Sequence, residues 1–467
     1  MQQPNSQASM PNQIITYWKL HKVPIILALL SLVFYYTFAH HLVRSDFMKL
    51  LMLFAALFFL SFKLIQFEKW NFKFLLAVGI LFRLIFLWAE PNLSQDFYRF
   101  IWDGELVSHM LNPYLEVPDT LIGQKDLVIA NAQELHQGMG GLSARHFSNY
   151  PPLNQLIFAL AALLGGKSIL GSVMVMRSVI ILSDIGIFYF GRKLLKNLNR
   201  SPHLIFWYFL NPLIIIELTG NLHFEGVMLF FFVWALYLLS IGKWLWAAIP
   251  YAFSISVKLV PLLFLPLFLK HLGLKKSISF YGLIALTTLI LLAPFYTSEF
   301  FAHYSDSVGL WFSNFEFNAG LYNGIKLVAV NFFDAKAWEL VKIYGKITPL
   351  AIIAIALLFT FLANNQKLQV LITSMLWILG CYYLLSTTVH PWYLVFLVFL
   401  VIFTEYRFAL VWSAMAILSY FAYSKTQFKE NLWLLAIEYF AVYGFLAYEI
   451  FKLNGIKQIF HKNSSVN

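Results

Sequence analysis

Asp96 stands in the segment SQDFYRFIWDG…LNPY, residues 94–114, a few positions after an apolar run that ends near Ala89. A carboxylate where a membrane meets water can take a proton from a hydroxyl whose reaction partner sits in the bilayer, which is the work of a general base. A helix through FYRFIWDGELVSHML would lie along the interface with its aromatic residues toward lipid. The same spacing suits a helix N-cap at Ser94 or Asp96. Asp103-Gly104 and Asn112-Pro113-Tyr114 read as turns.

Asn221, His223 and Glu225 form a second group, between one apolar span ending near Thr219 and another starting near Val227; Glu217 lies deeper in the first. Ionisable groups at such a boundary favour a cavity, because burying them in hydrocarbon is costly, and a solvated tight turn is the competing reading. Lys258 is the one charge in its apolar stretch. It either snorkels to a headgroup or meets a phosphate as a point charge. His390 precedes Pro391, whose ring disfavours helix in the residue before it, so the histidine falls in a break between spans. There it can donate to phosphate oxygens or share a proton with a carboxylate. None of these spacings is a zinc signature.

The elements that must position these residues are membrane spans. Of 467 residues, 60% are apolar and 12% charged, about half the charge of a soluble protein. Apolar windows near 24–43, 47–66, 72–89, 170–192, 203–219, 224–241, 277–296, 346–364, 368–386, 407–423 and 432–452, with shorter or interrupted ones at 245–270 and 391–404, predict about 12–14 spans. PPLNQLIFALAALLGG after Tyr150 is short for a span and reads as a re-entrant or interfacial helix; 245–270 reads as a hairpin broken at Lys258 and Pro261. A polar segment precedes the first span and a second span follows closely, so the first is expected to be retained, not cleaved as a signal peptide. Cys381, the single cysteine, lies in an apolar window and reads as a small buried hydrophobe. The net charge of +11 sits mostly in short loops between spans, which sets orientation and leaves no basic domain for nucleic acid.

Basic loops at Lys19–Lys22, Lys69–Lys73, Arg192–Arg200 and Lys270–Lys276, with the tail from Lys452 to Lys462, mark the cytoplasmic side. Counting from a cytoplasmic N terminus puts residues 90–150 outside. The three polar clusters then share that face, joined by a fourth from the loop near 297–320: His303 to Asp306 with Asn314 and Glu316. The expected organisation is a cytoplasmic tail at 1–22, two additional transmembrane helices at 23–71 and a catalytic core at 72–296 that includes loop 90–150. A second non-cytoplasmic loop at 297–345, C-terminal transmembrane helices at 346–452 and a cytoplasmic tail at 453–467 complete it. The first and last dozen residues read as disordered.

The order of these features resembles the GT-C superfamily of polyprenyl-phosphate-sugar-dependent glycosyltransferases, in particular bacterial polyprenol-phosphomannose-dependent mannosyltransferases and the first mannosyltransferase of GPI-anchor synthesis. The resemblance rests on SQDFYRFIWDG…NPY, YPPL at 150–153, RSVIILSDIGIFYFGRKLL at 177–195, LNPLIIIELTGNLHFEG at 210–226, SVKLVPL at 256–262 and HPWYL at 390–394. It covers roughly residues 72–400 and implies an all-α polytopic GT-C-like bundle with a large non-cytoplasmic first catalytic loop. It also implies inverting transfer of a sugar, mannose on this resemblance, from polyprenyl-phosphate-mannose to a hydroxyl of a lipid-linked or membrane-proximal glycan. By the same analogy the chain is placed in a bacterial inner membrane with its site facing the periplasm.

Such enzymes carry their catalytic acid residue where Asp96 stands. Gln95 and Tyr98 flank it where the family often has a second acidic residue, so no metal and no cofactor are expected beyond the lipid-linked donor. The family's asparagine, glycine, histidine, acidic pattern is kept at Asn221, His223 and Glu225, with Leu222 in place of glycine. Asp96 is then the expected base, and His390, Lys258 and Arg99 are the expected partners of the donor phosphate. Asn221, His223, Glu225, Tyr98, Asp103, Tyr150, Trp392 and Tyr393 are the expected sugar or acceptor contacts, with Trp311 a further stacking candidate. An interfacial aromatic belt accounts equally well for the aromatic ones. Two rivals remain. A lipid-glycan ligase or polymerase would favour several outside arginines, of which only Arg44, Arg99 and Arg145 fall there. A transporter or flippase would favour paired halves with matching broken helices, and no such symmetry is visible.

Overall fold

The protein is described here by a computed structural model covering residues 10–313, 315–425 and 427–453, with side chains described for 15–310, 315–425 and 427–453. Both terminal stretches expected to be disordered, the Trp311 side chain and Asn314 therefore lie wholly or largely outside the described residues. Every named element among the described residues is a helix, and an isolated parallel bridge pairs Phe317 with Thr388. The chain is an all-α polytopic membrane protein, as its composition requires.

Eight helices position the site: α1 (Met10–His41), α2 (Phe47–Glu68), α3 (Phe72–Leu84), α4 (Asp96–Ser108), α5 (Pro152–Leu164), α6 (Ile169–Asn197), α7 (Glu225–Ser240) and α8 (Trp244–Val257). Their starts follow local chemistry. Asp46, Asn71 and Ser168 cap α2, α3 and α6 through side-chain oxygens that accept the N–H groups of Lys49, Phe74 and Gly171. Pro152 opens α5 at a position where its missing N–H costs nothing.

Seven helices among the described residues are long and apolar enough to cross a bilayer, or eight if Pro202–Phe209 and Pro212–Gly220, bent by 51°, form one span. The expectation of 12–14 counted every apolar window. Six further apolar helices have only 10–17 residues, short of the roughly 20 that a bilayer takes, and α3 stops after 13. α5 has 13 residues, in keeping with a helix that does not span. The interruption expected in 245–270 is present: α8 ends at Val257, Lys258 is extended, and a 3-10 helix follows over Val260–Leu267. The segment 297–345 is not simply a loop. It holds helices Phe300–Ser313 and Gly320–Phe333 and the start of Ala337–Leu362. α1 likewise begins inside the expected tail.

Two buried arginines hold the helices in register. Arg83 on α3 pairs with Asp184 on α6 at 2.7 Å and also donates to the Gly79 and Phe209 carbonyls. Arg177 on α6 donates to five carbonyls: those of Phe86, Leu87 and Ala89 beyond α3, and of Thr219 and Gly220 at the end of the bent pair. Buried charge needs such partners, and chain ends leaving a helix have carbonyls to offer. Arg177 thereby fixes the chain leading to Asp96 against the chain leading to His223.

Candidate active site

Asp96 is the first residue of α4, and the turn before it is anchored on every side. Asn92 donates to the Phe38 and Leu42 carbonyls, the Leu93 N–H donates to Asn221 Oδ1 at 3.1 Å, and Gln95 donates to the Met139 carbonyl. The N-cap alternative is resolved locally: Ser94 Oγ accepts the Asp96 N–H at 3.3 Å, and Gln95 at the cap position makes no side-chain bond. The Asp96 side chain lines a cavity of about 740 Å³.

The outer face expected for α4 is overturned. Phe97, Phe100 and Trp102 are buried in protein, with Phe100 stacked on Phe158 of α5 at 4.7 Å between ring centres. Asp103-Gly104 is not a turn, because α4 runs through it. A Cβ on Gly104 would lie 2.3 Å from the Phe158 carbonyl oxygen, so glycine is what lets the two helices meet. The Asn112 turn is present: Asn112 Oδ1 accepts the Tyr114 N–H, and the Tyr114 hydroxyl donates to the Tyr150 carbonyl at 2.5 Å.

Arg99 and Asp103 do not join the cavity. Arg99 Nε donates to Asp103 Oδ1 at 2.7 Å, and its Nη1 donates to the Ser143 and His146 carbonyls. Asp103 Oδ2 accepts from the Ser148 hydroxyl and from Gln155. This buried cluster ties α4 to α5 and to the chain before Tyr150. Tyr98 packs its ring over Gly138 and Phe97, away from the cavity lining. Asn221 is buried behind the wall, holding Leu93.

The second cluster leaves a π-helical turn, Ile215–Gly220, an irregularity frequent at functional sites. Glu217 within it accepts the Tyr420 hydroxyl at 2.8 Å and faces His223 Nε2 at 3.6 Å. Leu222 is fully buried at φ +61°, the left-handed conformation that a glycine would adopt without strain. That turn delivers His223 to the cavity and starts α7 at Glu225, whose Oε1 lies 2.9 Å from Lys258 Nζ. Asn154 on α5 donates to the Val257 carbonyl at 2.8 Å, fixing the end of α8 just before Lys258.

The third cluster closes the opposite wall. The Trp392 indole is sandwiched between His223 at 3.9 Å and His390 at 4.2 Å, both nearly parallel to it, while Tyr393 meets His390 edge-on. The Phe317–Thr388 bridge, with the Val389 N–H on the Phe317 carbonyl, holds this strand of chain against the segment that carries Glu316. Glu316 and Val308 line the cavity. His303 is held elsewhere, stacked on Phe147 with Nδ1 against the Tyr114 carbonyl.

Asp96, Tyr150, His223, Lys258, His390, Trp392 and Tyr393 thus meet around one space, with Glu225 behind Lys258. Burial holds the Asp96 carboxyl above the ordinary carboxylate range, while Lys258 and Arg44 pull it back. Burial pushes His223 well below the usual histidine range and His390 down to about 3, so both imidazoles are neutral at pH 7. His223 Nε2 and His390 Nδ1 are buried without a hydrogen-bond partner among the described residues. The arrangement offers a carboxylate able to accept a proton, neutral imidazoles that can donate or accept one hydrogen bond, and aromatic faces suited to a sugar. No group of three or more His, Cys, Asp or Glu side chains among the described residues is arranged to hold a metal ion.

Asn154 had no place in the sequence reading, and Arg177 and Arg44 entered it only as the start of a motif and as an outside arginine, with no part in the site. Arg177 carried a signal, since an ionisable residue inside an apolar span is a functional candidate by default. Asn154 carried none, and Arg44 only its place among the outside arginines, because their roles depend on which distant segment each meets.

A family model for the N-terminal domain of the alpha-(1->6)-mannopyranosyltransferases, MptA_B family, matches residues 21–272, just over half of the chain. No curated protein matches it. The matched stretch supplies Asp96, Tyr150, His223 and Lys258, and the remainder supplies His390, Trp392 and Tyr393. By that match the chain belongs to the MptA_B family and is a mannosyltransferase.

Proposed function

We propose that this protein is a GT-C type enzyme that transfers mannose, with inversion, from polyprenyl-phosphate-mannose to a hydroxyl of a lipid-linked or membrane-proximal glycan. The family's name supports an α-(1→6) product, and inversion then requires a β-linked donor. The reading places the cavity on the non-cytoplasmic face, in a bacterium the periplasmic side of the inner membrane. One observation carries it: residues from three distant segments, chosen for chemistry alone, line one cavity with Asp96.

In this mechanism Asp96 takes the acceptor proton as its oxygen attacks the mannosyl anomeric carbon. The bond from that carbon to the phosphate oxygen breaks, and the electron pair leaves with the phosphate. Lys258 and His390 face the leaving group, while His223, Trp392, Tyr393 and Tyr150 orient the sugar and acceptor. The isoprenoid stays in lipid, while its phosphate reaches the charged and polar side chains, Asp96, Lys258 and His390, that line the cavity.

The test is transfer of labelled mannose from synthetic polyprenyl-phosphate-mannose to a glycolipid extract by reconstituted protein, wild type against Asp96→Asn. Transfer by the wild type alone, with donor binding kept in the variant, supports both the reaction and the base. Equal turnover in the two removes Asp96 from the chemistry, and no turnover in either rejects the donor or acceptor.

A further inference from the structure

Two cations line the cavity, Lys258 and Arg44, and their surroundings differ. Lys258 is already compensated by Glu225 at 2.9 Å. Arg44 sits in the turn between α1 and α2, and no carboxylate pairs with it among the described residues, whereas Arg83, Arg99 and Arg200 each have one. Its guanidinium carbon lies 3.3 Å from the centre of the Tyr423 ring, and its Nε is buried without a hydrogen-bond partner. The position is built, not incidental. Asn92, four residues before Asp96, donates to the Phe38 and Leu42 carbonyls that lead into the turn, and Phe47 just after it packs edge-on against Phe421.

The reaction moves charge toward whatever meets the phosphate. Before transfer the donor phosphate is a diester with one negative charge, and Asp96 carries another. As the acceptor oxygen bonds to the anomeric carbon, its proton passes to Asp96, which becomes neutral. The carbon–oxygen bond to phosphate breaks with its electron pair on oxygen, leaving a monoester with two charges. Total charge is conserved while one unit shifts from Asp96 to the phosphate. A guanidinium held by Tyr423, with no carboxylate in an ion pair with it among the described residues, has the charge and the planar pair of donors for that group.

We propose that Arg44 binds the phosphate of the lipid-linked donor and holds it as it leaves, which gives the α1–α2 hairpin a part in the active site. This rests on the donor reading above. The test uses full-length protein in detergent micelles and measures both binding of a short-chain polyprenyl phosphate and mannose transfer. Arg44→Gln is expected to weaken polyprenyl phosphate binding by about 10- to 100-fold and to lower kcat by about 10²- to 10³-fold at an unchanged melting temperature. Arg44→Lys, which keeps the charge and loses the fork, should recover binding more than kcat. In the wild type, phenylglyoxal modification at Arg44 should be slowed by polyprenyl phosphate, a readout that needs no variant to fold. Wild-type binding and turnover in Arg44→Gln, or no protection of Arg44, overturns the assignment while leaving the donor reading intact. A wild type that neither binds nor uses polyprenyl phosphates overturns the donor reading and the assignment with it.

Discussion

Asp96 and Asp103 lie seven residues, about two turns, apart on α4, and their surroundings could hardly differ more. Asp103 is wholly buried and accepts from Arg99, Ser148 and Gln155. Asp96 lines the cavity, and among the described residues its side-chain hydrogen-bond partner is the Ser94 hydroxyl, with Lys258 and Arg44 acting on it through their charge. A carboxylate saturated with donors cannot take up a proton cheaply, whereas one with open acceptor positions beside a cavity can. The same contrast separates Arg99 from Arg44. In these two pairs the charge that has its partners ties helices together, and the charge with fewer partners is the one the proposed chemistry uses.

The largest expected effect tests the cavity side of that contrast. Asp96→Asn should lower kcat by about 10²- to 10⁴-fold, measured as initial mannose transfer at saturating donor, with no loss of melting temperature. A variant that melts early would make Asp96 a structural residue like its neighbour. Asp103→Ala is the converse. Leaving Arg99 buried and uncompensated should cost about 3–5 kcal/mol of stability, seen as an early thermal transition in detergent. A stable Asp103→Ala protein would dissolve the distinction.

Much of this was legible beforehand. The apolar windows become helices, Pro391 falls at a break, Lys258 interrupts a hairpin, and at least one side chain from each of three polar clusters lines one cavity, whereas the bend at Pro212 inside the window 203–219 was not foreseen. The Arg99–Asp103 pair has a sequence signal, since the two lie four residues apart, within reach on one helix face. What could not be read is which backbone carbonyls lose their helical partners, and so where Arg177 and Arg99 find acceptors 40 or more residues away. Gly104 misled because glycine after aspartate signals a turn, while here it marks a close helix crossing.

That crossing gives a smaller effect. Gly104→Ala adds one carbon against backbone that cannot swing aside, and should cost about 1–3 kcal/mol as overpacking between α4 and α5. Because α5 carries Asn154, which grips the chain before Lys258, the strain should also raise the KM for the donor more than it lowers kcat. Unchanged stability would show that the helices separate freely, and the link from Asp103 to the cavity through α5 would weaken.

The smallest effect is in pH. The Asp96 carboxyl is held above its ordinary value mainly by burial, so the ionised form that accepts a proton appears only as pH rises past that raised value. The acid limb of kcat/KM should therefore lie above the normal carboxylate range, and Asp96→Asn should abolish it. Stability runs the other way. Between the unfolded and folded values the folded state binds more protons, so this group's stabilising contribution is full below the unfolded value and is lost as pH rises through the folded one. Wild type should thus lose stability relative to Asp96→Asn across that window, while activity is gained over the same interval. An acid limb at the ordinary carboxylate value would mean that water or substrate solvates Asp96 as fully as bulk solution does.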